Sequence, residues 1–403
     1  MKALFITWDG PHVTYLESLF LPIFARLANE GIQFHVLQFT WGDAKHKALT
    51  RKACVQLGIG YQSVTVFRRP RAIGAMLSAL VGAMYVKKAI HNHNIDVVIP
   101  RSTLPALATL LALRSTQCPM VFDADGLPLD ERVDFAGQSP SGLVQRLLRD
   151  VEAQAVRRAN VVLTRSAKAV SILHARAGAG TVGDKFHVVT NGRDADKFKP
   201  ADAVHNSQTR HTLGLAVDAP LLVYAGSLGA QYCMDEMLNL FGMIRDRRSD
   251  SHLLILTGTP EAIWPLLCKY SQLQGCVTTL AVAPQDVPKY LACADLGLAL
   301  RQPSFSMQAV APIKLGEYLL CGLPVLATAD IGDTVAISPD AGLLLQLMDK
   351  TELKTAADWF IDSVLPQREN YRKSSREVGL SRFSLEASAS SYQNALEHLS
   401  RNL

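Results

Sequence analysis

The chain has 403 residues, 48% of them hydrophobic, 19% charged and 7% aromatic, with 26 glycines and 19 prolines. That length exceeds what one hydrophobic core ordinarily supports, so two domains are expected, and the apolar content excludes a disordered or purely polar chain. The seven cysteines are odd in number and contain no Cys-x-x-Cys pair, which argues against a zinc ribbon or a secreted disulfide framework and for reduced thiols in a cytoplasmic protein.

The net charge of +5 is unevenly spread: through residue 200 there are 25 Lys+Arg against 15 Asp+Glu, and beyond it 16 against 21. A basic first half suits anionic lipid or phosphate, with solvated surface charge as the plainer explanation. No basic stretch has the interleaved aromatics of a nucleic-acid module, so no nucleic acid is expected as a partner. The apolar run before Trp8-Asp9-Gly10 is too short for a signal peptide, and no run reaches the roughly 18 apolar residues of a membrane span. The nearest candidate, Ala72–Val86, is broken by Gly74, Ser78 and Gly82 and flanked by Arg68, Arg69, Arg71, Lys87 and Lys88. Its plainer reading is a core or interdomain helix; the other is peripheral contact with the inner face of an anionic membrane.

Apolar strand-like runs alternate with longer amphipathic stretches. Strands are predicted at Ala3–Thr7, Phe34–Phe39, Val97–Pro100, Met120–Phe122, Val161–Thr164 and Phe186–Thr190, with helices at Tyr15–Asn29, Arg71–His91 and Leu143–Arg158. A polar stretch from Asp194 to Ala219 reads as a linker. Strands resume at Leu221–Ala225, Leu253–Thr257, Val277–Ala281, Leu296–Leu300 and Val325–Ala327, before a mostly helical, polar end. Continuous apolar strands alternating with helices imply parallel sheets covered on both faces: an α/β protein of two Rossmann-like βαβ domains facing each other across a cleft. The expected domains are 1–200 and 201–383, with a helix at about 384–403 packing back on the first.

Two motif matches are set aside. Gly178-Ala-Gly180-Thr-Val-Gly183 fits G-x-G-x-x-G but follows a helix and leads into a strand, the reverse of a dinucleotide site. Asp123-Ala-Asp125 is a metal-type Asp-x-Asp pair, yet such pairs arise about once by chance in a chain this rich in aspartate, and Asp194-Ala-Asp196 is another. More informative is Leu221-Leu-Val-Tyr-Ala-Gly226-Ser227-Leu-Gly229, a buried strand emptying into a glycine turn before a helix near Met234, where backbone amides and a helix N-terminus can approach a diphosphate. In Ala311-Pro-Ile-Lys314-Leu-Gly-Glu317, Pro312 suits a first helical turn, and Lys314 and Glu317 share one helical face. There the lysine can neutralise a diphosphate and the glutamate can accept ribose hydroxyls; a surface Lys–Glu pair is the plainer alternative.

Together with Val287-Pro-Lys-Tyr-Leu-Ala292, Gly322-Leu-Pro-Val and Asn191-Gly192-Arg-Asp194, these segments resemble group 1 (family 4-like) glycosyltransferases of the GT-B fold, in the subgroup with a Pro-x-Lys-x-x-Glu motif. The resemblance spans nearly the whole chain. It implies a nucleotide-diphosphate sugar as donor, a glycan or lipid-linked acceptor, retention of configuration, and no cofactor or metal. By position it implies Gly226, Ser227 and Gly229 at the phosphates, Glu317 at the ribose, Lys314 at the diphosphate, and Val282, Ala283 and Pro284 facing the nucleobase. Arg301 and Arg165 are candidate helpers for the phosphate charge. In the N-terminal domain it implies Gly10, Asp123, Gly126 and Asn191 lining the cleft, with Asp125 and His12 as further catalytic candidates. Ala309 stands where many relatives carry an acid contacting the transferred sugar, so the donor sugar does not follow from the resemblance. A nucleotide-sugar 2-epimerase and a non-catalytic sugar-nucleotide-binding scaffold are the alternatives of the same architecture.

Overall fold

The computed structural model describes residues 1–11, 13–67, 71–178 and 180–401, with side chains described for all of these but 71–73 and 335. His12, Arg68 and Arg69 therefore lie outside the described residues, as does Ala179 of the glycine-rich string. Two compact units emerge, one of residues 1–190, 308–310 and Ser388 onward, the other of 191–307 and 311–387.

The first unit is built on seven parallel strands: β1 (Lys2–Asp9), β2 (Gln33–Thr40), β3 (Gly60–Thr65), β4 (Val97–Pro100), β5 (Val121–Asp123), β6 (Val161–Thr164) and β7 (Phe186–Val188). They form one sheet in the order β3-β2-β1-β4 and another in the order β5-β6-β7, and single parallel bridges, Val98 to Met120 and Arg101 to Asp123, continue the pairing from β4 to β5. Ala3 to Ile6 of β1 are all buried, as a strand covered on both faces must be. Phe5 packs on Phe20 and Phe24 at 4.8 and 4.9 Å between ring centres, and Trp8 stacks on Phe39 at 5.1 Å. The order reverses direction between β1 and β4, and ligands of such sheets bind outside the carboxyl ends of the strands at this reversal. Asp9 and Gly10 follow from one strand there, Arg101 and Ser102 from the other.

The second unit carries one parallel sheet of six strands: β8 (Leu221–Ala225), β9 (His252–Leu256), β10 (Val277–Leu280), β11 (Leu296–Ala299), β12 (Val325–Thr328) and β13 (Gly342–Leu345). Their order is β10-β9-β8-β11-β12-β13, so the reversal falls between β8 and β11 and brings Gly226 and Arg301 to the same edge. Buried Tyr318 fastens that junction: its hydroxyl accepts from the Ala225 amide at 2.8 Å and donates to the Leu298 carbonyl at 3.3 Å. Gly297 makes room for it, since a Cβ there would lie 2.6 Å from the Tyr318 ring.

Two expectations are corrected. The polar stretch read as a linker contains a helix, Ala203–Thr212, capped by Asp202, whose carboxylate accepts the His205 amide at 2.8 Å. Its polarity serves burial: Arg210, 1% exposed, donates to the carbonyls of Cys293 and Ala219 and pairs with Asp295 at 2.9 Å. The chain joins the second unit at Asn191, before residue 200, because the Arg193 amide donates to Phe383 and the Leu385 amide donates back to Arg193. The last helix, Leu385–Arg401, begins in the second unit and belongs to the first from Ser388, whose hydroxyl donates to the Thr190 carbonyl at 2.6 Å. Asp295→Ala, which strips the buried Arg210 of its carboxylate, is expected to lower unfolding free energy in urea by about 3–5 kcal/mol; a change within experimental scatter would show that the carbonyls alone satisfy the guanidinium.

Candidate functional site

Polar groups without partners concentrate at the switch edge of the second unit. Lys314, on the helix Ile313–Leu320, lays its ammonium over the Tyr224 ring at 3.9 Å and the Tyr232 ring at 4.8 Å, and Nζ makes no hydrogen bond. Burial pushes its pKa well below the usual lysine range, and the Arg301 charge pushes the same way. The Arg301 guanidinium also lies against this aromatic cluster, 5.0 Å from the Tyr232 ring centre, with Nε buried and unpaired. Two basic side chains against one tyrosine ring, with no acceptor at Lys314 Nζ, are groups that can receive an anion.

The glycine turn completes it. Gly226 has φ +148°, and a Cβ there would lie 2.8 Å from Lys314 Nζ, so only glycine admits both this backbone and the lysine. The Tyr224 hydroxyl donates to the Ser227 carbonyl and fixes the turn, while the amides of Ser227, Leu228 and Gly229 donate to no acceptor among the described residues. The helix N-terminus expected to assist does not: after the turn come a 3-10 segment, Ala230–Tyr232, and then the helix Met234–Arg247 with Asp235 and Glu236 in its first turn. Those two charges already answer its dipole.

Glu317, one turn beyond Lys314, does not pair with it. Its Oε1 meets Arg193 Nη2 at 2.7 Å. Burial raises the Glu317 pKa and Arg193 draws it back. Asn191 donates from Nδ2 to the Ala311 carbonyl at 2.9 Å, bracing the lead into the same helix. Val282, Ala283 and Pro284 follow β10 in a loop at the same carboxyl edge, with Val282 and Ala283 half-buried and Pro284 exposed.

In the first unit the switch edge carries a buried chain of charges. Arg101 pairs with Asp125 at 2.6 Å and approaches Asp9 at 3.9 Å, while Arg165 pairs with Asp123 at 2.8 Å. Burial works against the Arg101 charge, but Asp125, Asp123 and Asp9 outweigh it and hold its pKa high. Asp125 sits at φ +53°, rare for a non-glycine residue, and burial raises its pKa against the pull of Arg101. A cavity of about 90 Å³ opens beside it, lined by Trp8, Arg101, Ser102, Asp125 and Arg132 among others. Gly126 has φ +80°, and a Cβ there would lie 3.1 Å from the Ala309 carbonyl. Gly10 is buried under Trp41, whose ring stands 2.6 Å from where a Cβ would be. Arg165, expected as a phosphate helper, is committed to Asp123 and lies 6.0 Å from the Tyr392 ring.

Four participants escaped the sequence reading. Arg101 follows a predicted strand directly, so the switch-point rule could have found it. Arg193 stands inside the Asn-Gly-x-Asp segment but shows its role only through its contact with Glu317. Tyr232 carries no local signal, and neither does Asp333, whose Oδ1 is buried without a partner in the segment Gly332–Ala336 after β12. Burial pushes the Asp333 pKa up to about 8, against the opposing pull of the Arg301 charge. Its folded pKa thus exceeds the ordinary 3.8, so the folded state holds more protons between the two values and stability falls as pH rises from about 4 to about 8. Asp333→Asn is expected to melt a few degrees above the native protein at pH 8 and together with it near pH 4; parallel melting curves across this range would refute the assignment.

Comparison with known proteins identifies the family and the fold. Residues 17–192 match the glycosyl transferase 4-like domain, and residues 219–363 match the glycosyl transferases group 1 domain. A D-inositol 3-phosphate glycosyltransferase of Jonesia denitrificans is 28% identical over 264 residues, 62% of this chain, which spans 59% of that relative's length. Among solved structures, the Anabaena protein Alr3699/HepE in complex with UDP-glucose aligns over all of both chains at a TM-score of 0.71 and 19% identity. A glycosyltransferase from Rickettsia africae aligns over all of both chains at 0.74 and 14%. With both domain types matched in series and each built on its own parallel sheet, the chain belongs to the group 1 glycosyltransferases of the GT-B fold.

Proposed function

We propose that the protein transfers a sugar from a nucleotide-diphosphate sugar to a hydroxyl of a glycan or lipid-linked acceptor, retaining anomeric configuration and using no metal ion, in the synthesis of cell-surface polysaccharide or glycoconjugate. The observation that carries this reading is Lys314 Nζ, without a hydrogen-bond acceptor and packed against Gly226 of a turn whose Ser227 to Gly229 amides donate to no acceptor among the described residues. These groups match a diphosphate, and UDP-glucose is the ligand of the Anabaena protein of the same fold. Lys314 takes the diphosphate, Arg301 adds charge from beside Tyr232, and Glu317 accepts the ribose hydroxyls. The bond between the anomeric carbon and the diphosphate oxygen breaks as the acceptor oxygen bonds to that carbon, and the acceptor's proton passes to the departing phosphate. Charge developing on the leaving group is met by fixed donors, which is where such sites gain most of their rate. The Asp-x-Asp carboxylates, each paired with an arginine, are spent within the protein, and Asp125 remains as a hydrogen-bond acceptor for a sugar hydroxyl.

The acceptor side is supported by the helix Arg71–His93, which has no acidic residue. One of its faces is core, with Ala79, Val86, Ala89 and Ile90 buried. On the opposite face Leu77, Leu80, Val81 and Met84, spaced as one helical stripe, are 39–67% exposed and run on to exposed Lys87 and Lys88. An apolar stripe ending in lysines fits the surface of an anionic bilayer, where a lipid-linked acceptor would lie. No helix among the described residues is long and apolar enough to cross a membrane.

Lys314→Ala is expected to lower the release of nucleoside diphosphate from nucleotide sugars on the order of a hundredfold, and unchanged turnover would take Lys314 out of the site. The native protein should float with phosphatidylcholine vesicles containing phosphatidylglycerol and be lost from them in the Leu80→Glu, Met84→Glu variant; no flotation, or equal flotation of both proteins, would end the membrane reading.

A further inference from the structure

We infer that Arg193 is a positioning residue that aims the Glu317 carboxylate at the donor ribose, an inference that rests on the donor reading above. The argument turns on what holds each partner. The Arg193 backbone is fixed on both sides, its amide donating to the Phe383 carbonyl at 2.8 Å and its carbonyl accepting from the Leu385 amide at 2.9 Å. Its guanidinium lies over the Phe198 ring at 4.9 Å. Phe198 is itself tied down, its carbonyl accepting from Arg376 Nη1 at 2.6 Å while Arg376 Nη2 donates to the Ala195 carbonyl at 3.0 Å. The cation is therefore set by contacts that do not include Glu317.

Glu317 is the dependent partner. It projects from an eight-residue helix, Ile313–Leu320, and its neighbour one turn earlier, Lys314, is drawn to the aromatic rings instead. The contact with Arg193 Nη2 falls on Oε1 at 2.7 Å, and a carboxylate has lone pairs enough for further acceptance. A half-buried carboxylate needs a countercharge to stay ionised, and an ionised carboxylate accepts from two vicinal hydroxyls where a neutral acid would have to donate. Because Arg193 is held before any nucleotide arrives, the carboxylate is aimed without an ordering cost at binding. Arg193 touches no reacting atom in this scheme; its effect should appear in discrimination between ribose and its deoxygenated analogue, with phosphate affinity left alone.

The test is calorimetric titration of the full chain with whichever of UDP, ADP and GDP binds best and with the 2′,3′-dideoxy form of that nucleotide. The native protein should prefer the hydroxylated nucleotide by about tenfold or more, as expected for hydrogen bonds to a charged group. Arg193→Met should lose most of that preference while binding the dideoxy nucleotide within twofold of the native protein, and Arg193→Lys should restore part of it. A preference unchanged in Arg193→Met would overturn the inference, as would an equal loss for both nucleotides in Arg193→Met and Arg193→Lys alike. A native protein that binds nucleotide with no preference for the hydroxyls would overturn the ribose role of Glu317 and this inference with it. A native protein that binds none of the three would overturn the donor reading itself.

Discussion

The ammonium of Lys314 rests against the Tyr224 ring without a hydrogen-bond acceptor, and much of the second unit is shaped by that placement. At Gly226 a Cβ would meet the lysine at 2.8 Å; Tyr224 turns its hydroxyl to Ser227 and leaves its face to the lysine; Tyr232 touches both Lys314 and Arg301 with its ring. An aromatic face offsets only part of the cost of taking an ammonium out of water. The remainder is a cost of burial that no acceptor among the described residues offsets.

The first unit handles charge differently. Asp9, Arg101, Asp125, Asp123 and Arg165 neutralise one another in a buried chain, and little is left over for a strongly anionic ligand. One unit thus keeps a basic side chain without a hydrogen-bond partner, while the other neutralises its charges among themselves. Both sites arise at the same place in their sheets, where the strand order reverses, because only there do neighbouring connections leave in opposite directions and open a crevice.

Most strands were legible because parallel strands buried on both faces are continuous apolar runs. The two that were not, Gly60–Thr65 and Gly342–Leu345, lie at sheet edges, where one is half-exposed and polar and the other begins with a glycine. The helix Ala203–Thr212 was hidden by its composition, since its anchor is a buried arginine and not an apolar face. Within the site, Lys314 and Glu317 could be found because helical spacing is local information, and the Gly226 turn because a strand pointed to it. Arg193 and Asp333 could not, for their importance comes from contacts or burial made by residues far away in the chain. The surface Lys–Glu pair weighed as the plainer alternative does not form: Glu317 pairs with Arg193, and Lys314 rests against tyrosine rings.

The assignment of residues to the two units has a consequence for anyone recombining such enzymes. The chain passes between units at 190, at 307, at 310 and at 387, so neither unit is a single uninterrupted stretch. A fragment ending at Thr190 would leave Arg165 without Tyr392 above it and Gly126 without the Ala309 carbonyl against which it is fitted. Exchanging halves between homologues at the obvious junction would therefore graft a foreign terminal helix and a foreign tripeptide onto the sheets of the first unit. A chimera that respects the architecture has to carry those two pieces along with the residues that precede Asn191.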